Sequence, residues 1–271
     1  MKVRIILICV LLCGHEYVVS QNHLKFHGLR VFVNSLESSL DFYQGTLGFE
    51  VKDKNESEVV LKTGSWPIYL QKSNSQTTSD YPKVARTGLA IQTAKLLPRI
   101  DHFREQGIPF FDSLLQRNGV GISIPFEDPS GNVLNLIEVQ IRQVPTFQGL
   151  KIYNTGVTIS NMETATQFYE DILGFEEWSR AYLPAALPLK HADGSFAFMI
   201  HCKEGLTDSQ RDYGTSPQMV LMFSTSDMAT IKRHLQNNEV VFKDLTDSII
   251  CQDPAGNFIE IIETSNSVDS E

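Results

Sequence analysis

The stretch at residues 36–50, LESSLDFYQGTLGFE, returns at residues 162–176 as METATQFYEDILGFE. Phe-Tyr and Leu-Gly-Phe-Glu occupy matching places in both copies. A second pair of landmarks keeps the same order: Asp128-Pro129-Ser130-Gly131-Asn132 and Asp253-Pro254-Ala255-Gly256-Asn257. Two landmarks repeated in register identify a duplicated module. The chain has 271 residues, room for two ordinary domains.

Working outward from the first copy, HGLRVFV at residues 27–33 alternates as a strand, with Leu29, Val31 and Val33 on one face. Asn34 or Ser35 caps the following helix, whose buried side carries Leu36, Leu40, Tyr43 and Leu47 and which Gly48 ends. Residues 50–73 read as three short strands. The pattern restarts with ARTGLAIQT at residues 85–93, then a helix lined by Leu96, Ile100 and Phe103, then strands near 110–115, 121–126 and 133–139. The second copy repeats it twice more, from Tyr153 and from Gln218. The expected fold class is therefore α+β: four βαβββ units forming two tandem open-barrel modules. These are residues 24–142 and 151–264, with a linker at 143–150 and a tail at 265–271. Each helix covers one sheet face; the other face closes against a sister unit or a ligand.

Composition is globular, 42% hydrophobic and 20% charged, and the net charge of -9 argues against a nucleic-acid surface. Residues 1–20 read as a secretory signal peptide. Lys2 and Arg4 precede a short apolar run, IILICVLLC, too short to span a bilayer, and Val18 and Ser20 suit a cleavage site before Gln21. The mature chain is expected in the periplasm or the medium, with no stable membrane span and as a monomer. Cys202 and Cys251 are too few for a disulfide framework and read as buried apolar residues.

The arrangement resembles the vicinal oxygen chelate superfamily of glyoxalase I, bleomycin-resistance proteins and extradiol dioxygenases. Phe-Tyr, Leu-Gly-Phe and Asp-Pro-x-Gly-Asn carry the resemblance, twice, across the whole mature chain. It implies paired units around clefts and, in the metalloenzymes, His and Glu ligands on the inward strand faces. Here those positions hold other residues. The first module has Gly28, Gly88 and Asn135; the second has Asn154, Val220 and Glu260. No metal and no other cofactor is therefore expected. His27 is one residue off the family position, so it lies on the rim or outer face unless a bulge turns it inward. His201, at a strand end, is the other histidine that a metal site with Glu260 would use.

The expected function is binding of a small organic ligand in a metal-free cleft. The alternative is a divergent metal-dependent lyase or dioxygenase using the second-module cleft. Glu260 is the candidate general base and, with Asn154, a polar anchor. Thr158, Met222 and His201 complete that cleft, and Arg30 is the charged group of the first. Residues 180–191 and 203–217 are read as loops walling the second cleft. Replacing Glu260 by Gln is expected to leave folding nearly unchanged.

Overall fold

The computed structural model describes residues 24–64, 66–74, 86–110, 114–117, 119–140, 148–203, 205–206, 212–215 and 218–264. The expected signal peptide at 1–20, residues 143–147 of the expected 143–150 linker and the tail at 265–271 lie outside the described residues. The first unit comprises β1 (Lys25–Val33), α1 (Leu36–Leu40), β2 (Glu50–Lys54), β3 (Glu58–Lys62) and β4 (Ile68–Lys72). The second comprises β5 (Thr87–Thr93), α2 (Leu96–Glu105), β6 (Gln116–Arg117), β7 (Gly121–Glu127) and β8 (Val133–Val139). The third runs β9 (Leu150–Ile159), α3 (Met162–Thr166), β10 (Glu176–Glu177), β11 (Ala186–Lys190) and β12 (Phe196–Cys202). The fourth runs β13 (Gln218–Thr225), α4 (Met228–Asn237), β14 (Phe242–Asp244), β15 (Ser248–Gln252) and β16 (Phe258–Glu263). The strand expected near 110–115 is reduced to a bridge between Phe110 and Phe126 and the two residues of β6.

Two open eight-stranded sheets result. Sheet A has the order β14-β15-β16-β13-β1-β4-β3-β2, and sheet B the order β10-β11-β12-β9-β5-β8-β7-β6. Sheet A thus joins the first unit to the fourth through β1 and β13, antiparallel. Sheet B joins the second to the third through β5 and β9. Each module gives one unit to each sheet.

The repeated motifs hold the two sheets together. Ser35 and Asn161 cap α1 and α3 through their side chains. Both helices then widen into a π-helical turn, Asp41–Thr46 and Gln167–Ile172. There the amides of Leu47 and Leu173 donate five residues back, to the carbonyls of Phe42 and Phe168. The wider turn buries the adjacent aromatic residues Phe42 and Tyr43, and likewise Phe168 and Tyr169. Tyr43 donates to Asp128 Oδ2 at 3.0 Å, and Tyr169 to Asp253 Oδ2 at 3.0 Å. Asp128 also accepts from the Ser130 and Asn132 amides and the Asn132 side chain. Asn132 Nδ2 reaches on to the Phe32 carbonyl of β1, and Asn257 Nδ2 to the Thr158 carbonyl of β9. Phe-Tyr and Asp-Pro-x-Gly-Asn are two halves of one buried clamp, which ties the first unit to the second and the third to the fourth.

Leu29, Val31 and Val33 are fully buried on the helix side of β1, and Gly48 ends the first helical segment at φ +77. Glu138 points to the helix side, where its Oε2 accepts from the Leu96 amide at the start of α2. Glu263 does the same for Met228 and α4. Cys202 and Cys251 are both free, Cys251 buried and Cys202 partly so. No helix among the described residues is long and apolar enough to cross a membrane.

Candidate functional site

Directly paired strand residues share a sheet face, so the registers fix what lines each cleft. On sheet A, Arg30 lies opposite Val220 and beside Tyr69. Gly28 lies opposite Met222, which is beside Glu260. Arg30 and Glu260 therefore belong to one cleft. The sequence places them in separate first-module and second-module clefts; the structure corrects this, because unit one pairs with unit four.

Arg30 organises this cleft. Its Nε donates to Glu260 Oε2 at 2.6 Å and its Nη2 to Oε1 at 3.2 Å, a bidentate pair. Its Nη1 donates to Glu58 Oε2 and to Gln71 Oε1, both at 2.7 Å. Burial pulls the Arg30 pKa down, but the Glu260 carboxylate outweighs it and the net shift is upward. The two oxygens of Glu260 also accept from Tyr213 OH at 2.8 Å and Ser248 Oγ at 3.1 Å. All four acceptor positions of this carboxylate are filled from within the protein. A general base needs a free lone pair, and Glu260 has none in this arrangement.

Tyr213 comes from the 203–217 segment and lies edge-on to Phe32 at 5.3 Å and to Phe258 at 5.8 Å. Burial and the neighbouring Glu260 push its phenol pKa well up. Ser73 Oγ donates to the adjacent Gly214 carbonyl at 3.1 Å and pins the strap in place. Tyr213 and Gly214, from the described part of the 203–217 segment, thus lie over the cleft that holds Glu260. The segment at 180–191 does not, because Ala186–Lys190 is β11 of sheet B. Beneath the strap Phe32 is 3%, Val220 0% and Met222 2% exposed.

The register of β1 shifts between Phe26 and Gly28. This bulge turns His27 toward the cleft, where Nε2 lies 2.7 Å from Tyr69 OH and the rings stack at 5.7 Å. Burial, then Lys52, lowers the His27 pKa. Gly28 itself has no room for a larger residue. A Cβ there would lie 2.5 Å from the Pro67 carbonyl oxygen. The backbone of the Trp66-Pro67 break fills the space that the family histidine requires.

Sheet B carries the remaining candidates. Asn135, Ala90 and Asn154 form a row across β8, β5 and β9. Gly88 faces Gly156, Gly156 lies beside Met199, and Thr158 beside His201. His201 is exposed. Asn154, Thr158, Gly88 and Ala90 are all partly exposed. Asn135 Oδ1 is buried and has no hydrogen-bond partner. The site expected around Glu260 thus splits in two. Arg30, Met222 and Glu260 line sheet A; Asn154, Thr158 and His201 line sheet B. A His201–Glu260 metal pair is ruled out by this separation.

Glu58, Gln71, Tyr69, Ser248 and Tyr213 escape a reading from sequence. Alternation on β4 marks Tyr69 and Gln71 as sharing a face, and the length of the 203–217 segment marks a cover. Nothing local marks Glu58 or Ser248. The metal positions of the family fall, in sheet A, on Gly28, Val220 and a Glu260 already saturated, and in sheet B on Gly88, Asn154 and Asn135. Neither set suits a tightly held transition metal, which takes thiolate, imidazole or carboxylate ligands. Among the described residues no group of three His, Cys, Asp or Glu is placed to hold a metal ion.

Residues 21–136 match the family model of the Glyoxalase/Bleomycin resistance protein/Dioxygenase superfamily. Solved structures extend the likeness over the whole fold. Glyoxalase I from Zea mays superposes with a TM-score of 0.62 at 14% identity, covering 89% of this chain and 92% of its own. The cppA protein of Streptococcus pneumoniae superposes with a TM-score of 0.51 at 12% identity, covering 90% of this chain and 99% of its own. At such identities the likeness is one of fold. No curated protein sequence matches.

Proposed function

We propose that this chain is an exported binding protein that holds a small, uncharged, polar organic molecule on the open face of sheet B, without a metal. The observation that carries this reading is the contrast between the two clefts. Around Glu260 the sheet A cleft is filled by its own hydrogen-bonded side chains, whereas the centre of sheet B carries the small, partly exposed residues Gly88 and Ala90. Gly88 and Ala90 floor a partly exposed face that carries the amides of Asn135 and Asn154, with Thr158 further along the same sheet. The unpartnered Asn135 oxygen costs free energy unless a donor reaches it, and a ligand N–H or O–H supplies one. Sheet A also holds a buried unpartnered atom, Gln218 Nε2. That residue is only 6% exposed and offers no approach. The central row of the sheet B face carries amides and no formal charge. An uncharged ligand with hydrogen-bonding groups suits it best.

The test is a thermal-shift screen of the mature chain against small neutral polyols and carboxamides, followed by titration of any stabilising compound. Ala90→Phe fills the floor of the face and is expected to abolish the shift. Glu58→Gln, in the other cleft, is expected to preserve it. Binding that survives Ala90→Phe and is lost in Glu58→Gln would move the site to sheet A. Export is read from residues 1–20. Mass spectrometry of the secreted or periplasmic fraction is expected to find an N-terminus near Gln21, and a cellular product keeping Met1 would contradict it.

A further inference from the structure

The oxygen atoms around Arg30 form a donor set of a particular kind. Two carboxylates, Glu58 and Glu260, and the amide oxygen of Gln71 converge on one cationic group at 2.6 to 3.2 Å. The hydroxyls of Tyr213 and Ser248 stand behind Glu260. Hard divalent cations select such oxygen-only sets. The carboxylates sit in a poorly hydrated place: the side chains of Glu260, Arg30 and Glu58 are 5%, 11% and 25% exposed. Two carboxylates held this close in a low-dielectric pocket require a positive charge between them.

We propose that the Arg30 guanidinium is the resident cation of the sheet A cleft, doing the charge neutralisation that a divalent ion would otherwise do. The cleft is therefore a latent oxygen-ligand site for a hard divalent cation, closed in the native protein by its own arginine. The assignment is independent of ligand binding on sheet B, since the two faces share no residue. It also accounts for the altered first strand. Gly28, pressed by Pro67, contributes no ligand, and two residues further on the same face Arg30 supplies the charge.

The experiment uses manganese(II) chloride alone as the probe, with calorimetry and thermal melting of the whole mature chain. Wild type is expected to show no saturable manganese heat and no shift in melting temperature. Arg30→Ala vacates the cation position and is expected to bind one manganese ion per chain. It should melt higher in its presence, with an affinity tighter than wild type by roughly tenfold or more. Arg30→Lys keeps a cation there and is expected to behave as wild type. If Arg30→Ala does not fold with or without manganese, Arg30→Ala/Glu58→Gln decides the matter. That pair retains the cluster's net charge of the native protein and should still bind manganese more tightly than wild type. Saturable manganese binding by wild type that is lost in Glu260→Gln would overturn the proposal. So would a folded Arg30→Ala, or a folded double variant, that binds no more manganese than wild type.

Discussion

At the scale of single residues, Asp128 is the titrating group at the centre of the first clamp. It is buried, and desolvation raises its pKa to about 6 despite the bonds from Asn132, Ser130 and Tyr43. A carboxyl whose folded pKa lies above its unfolded value favours the folded state when protonated. Its contribution is fully present below the ordinary value of 3.8 and is lost as pH rises through about 6. The melting temperature of wild type minus that of Asp128→Asn, which does not titrate, is therefore expected to grow as pH falls across that window. A difference independent of pH would contradict the assignment. Asp128→Ala additionally strands the Ser130 and Asn132 amides and the Tyr43 hydroxyl. A cost of about 2–4 kcal/mol is expected from chemical denaturation. Glu260 shows where a reading of residues one at a time goes astray. From sequence it is an isolated carboxylate in an apolar cleft whose removal costs little. In the structure it is paired bidentately with Arg30, so Glu260→Gln is expected to destabilise the fold. Glu58 still compensates Arg30 in that variant, which holds the loss to about 1–3 kcal/mol rather than that of an unpaired buried charge.

At the scale of elements, β1 carries most of what distinguishes this chain. Its helix-facing residues follow simple alternation and were legible from sequence, as were the cap of the first helix at Asn34 or Ser35, the Gly48 stop and the Asp-Pro-x-Gly-Asn turns. Each of these depends on residues a few positions apart. The bulge at His27 was not legible, because it arises from how β1 pairs with β13, a strand nearly two hundred residues away. The tight approach of Pro67 to Gly28 has the same non-local origin. Gly28→Ala is expected to lower stability by about 1–3 kcal/mol, since the clash is with backbone that cannot swing aside. An unchanged denaturation midpoint would show that β4 gives way there. The wide π turns were likewise hidden: Phe-Tyr was visible as a motif, but its bond to an aspartate on a distant turn was not.

At the scale of the whole molecule, the modules seen in sequence are not the units seen in the sheets. Consecutive units are tied by the tyrosine–aspartate clamps, while the strands cross between modules, first unit with fourth and second with third. Sequence repeats report common ancestry of segments and are silent on which repeats pair, which is why two clefts of mixed parentage escaped that reading. Each sheet is complete only with both modules, so unfolding of the mature chain is expected as one cooperative transition. Residues 24–142 alone would lack β13 and β9, leaving β1 and β5 each with one unpaired edge, and are expected to be unfolded or to associate. Two separate transitions in calorimetry would contradict the shared sheets. The most direct test of this architecture is a double-mutant cycle on Arg30 and Glu260 using Arg30→Met and Glu260→Gln, read by chemical denaturation. Residues in one buried hydrogen-bonded pair are expected to couple by about 1–3 kcal/mol. A coupling energy indistinguishable from zero would place the two residues in separate clefts and contradict the account.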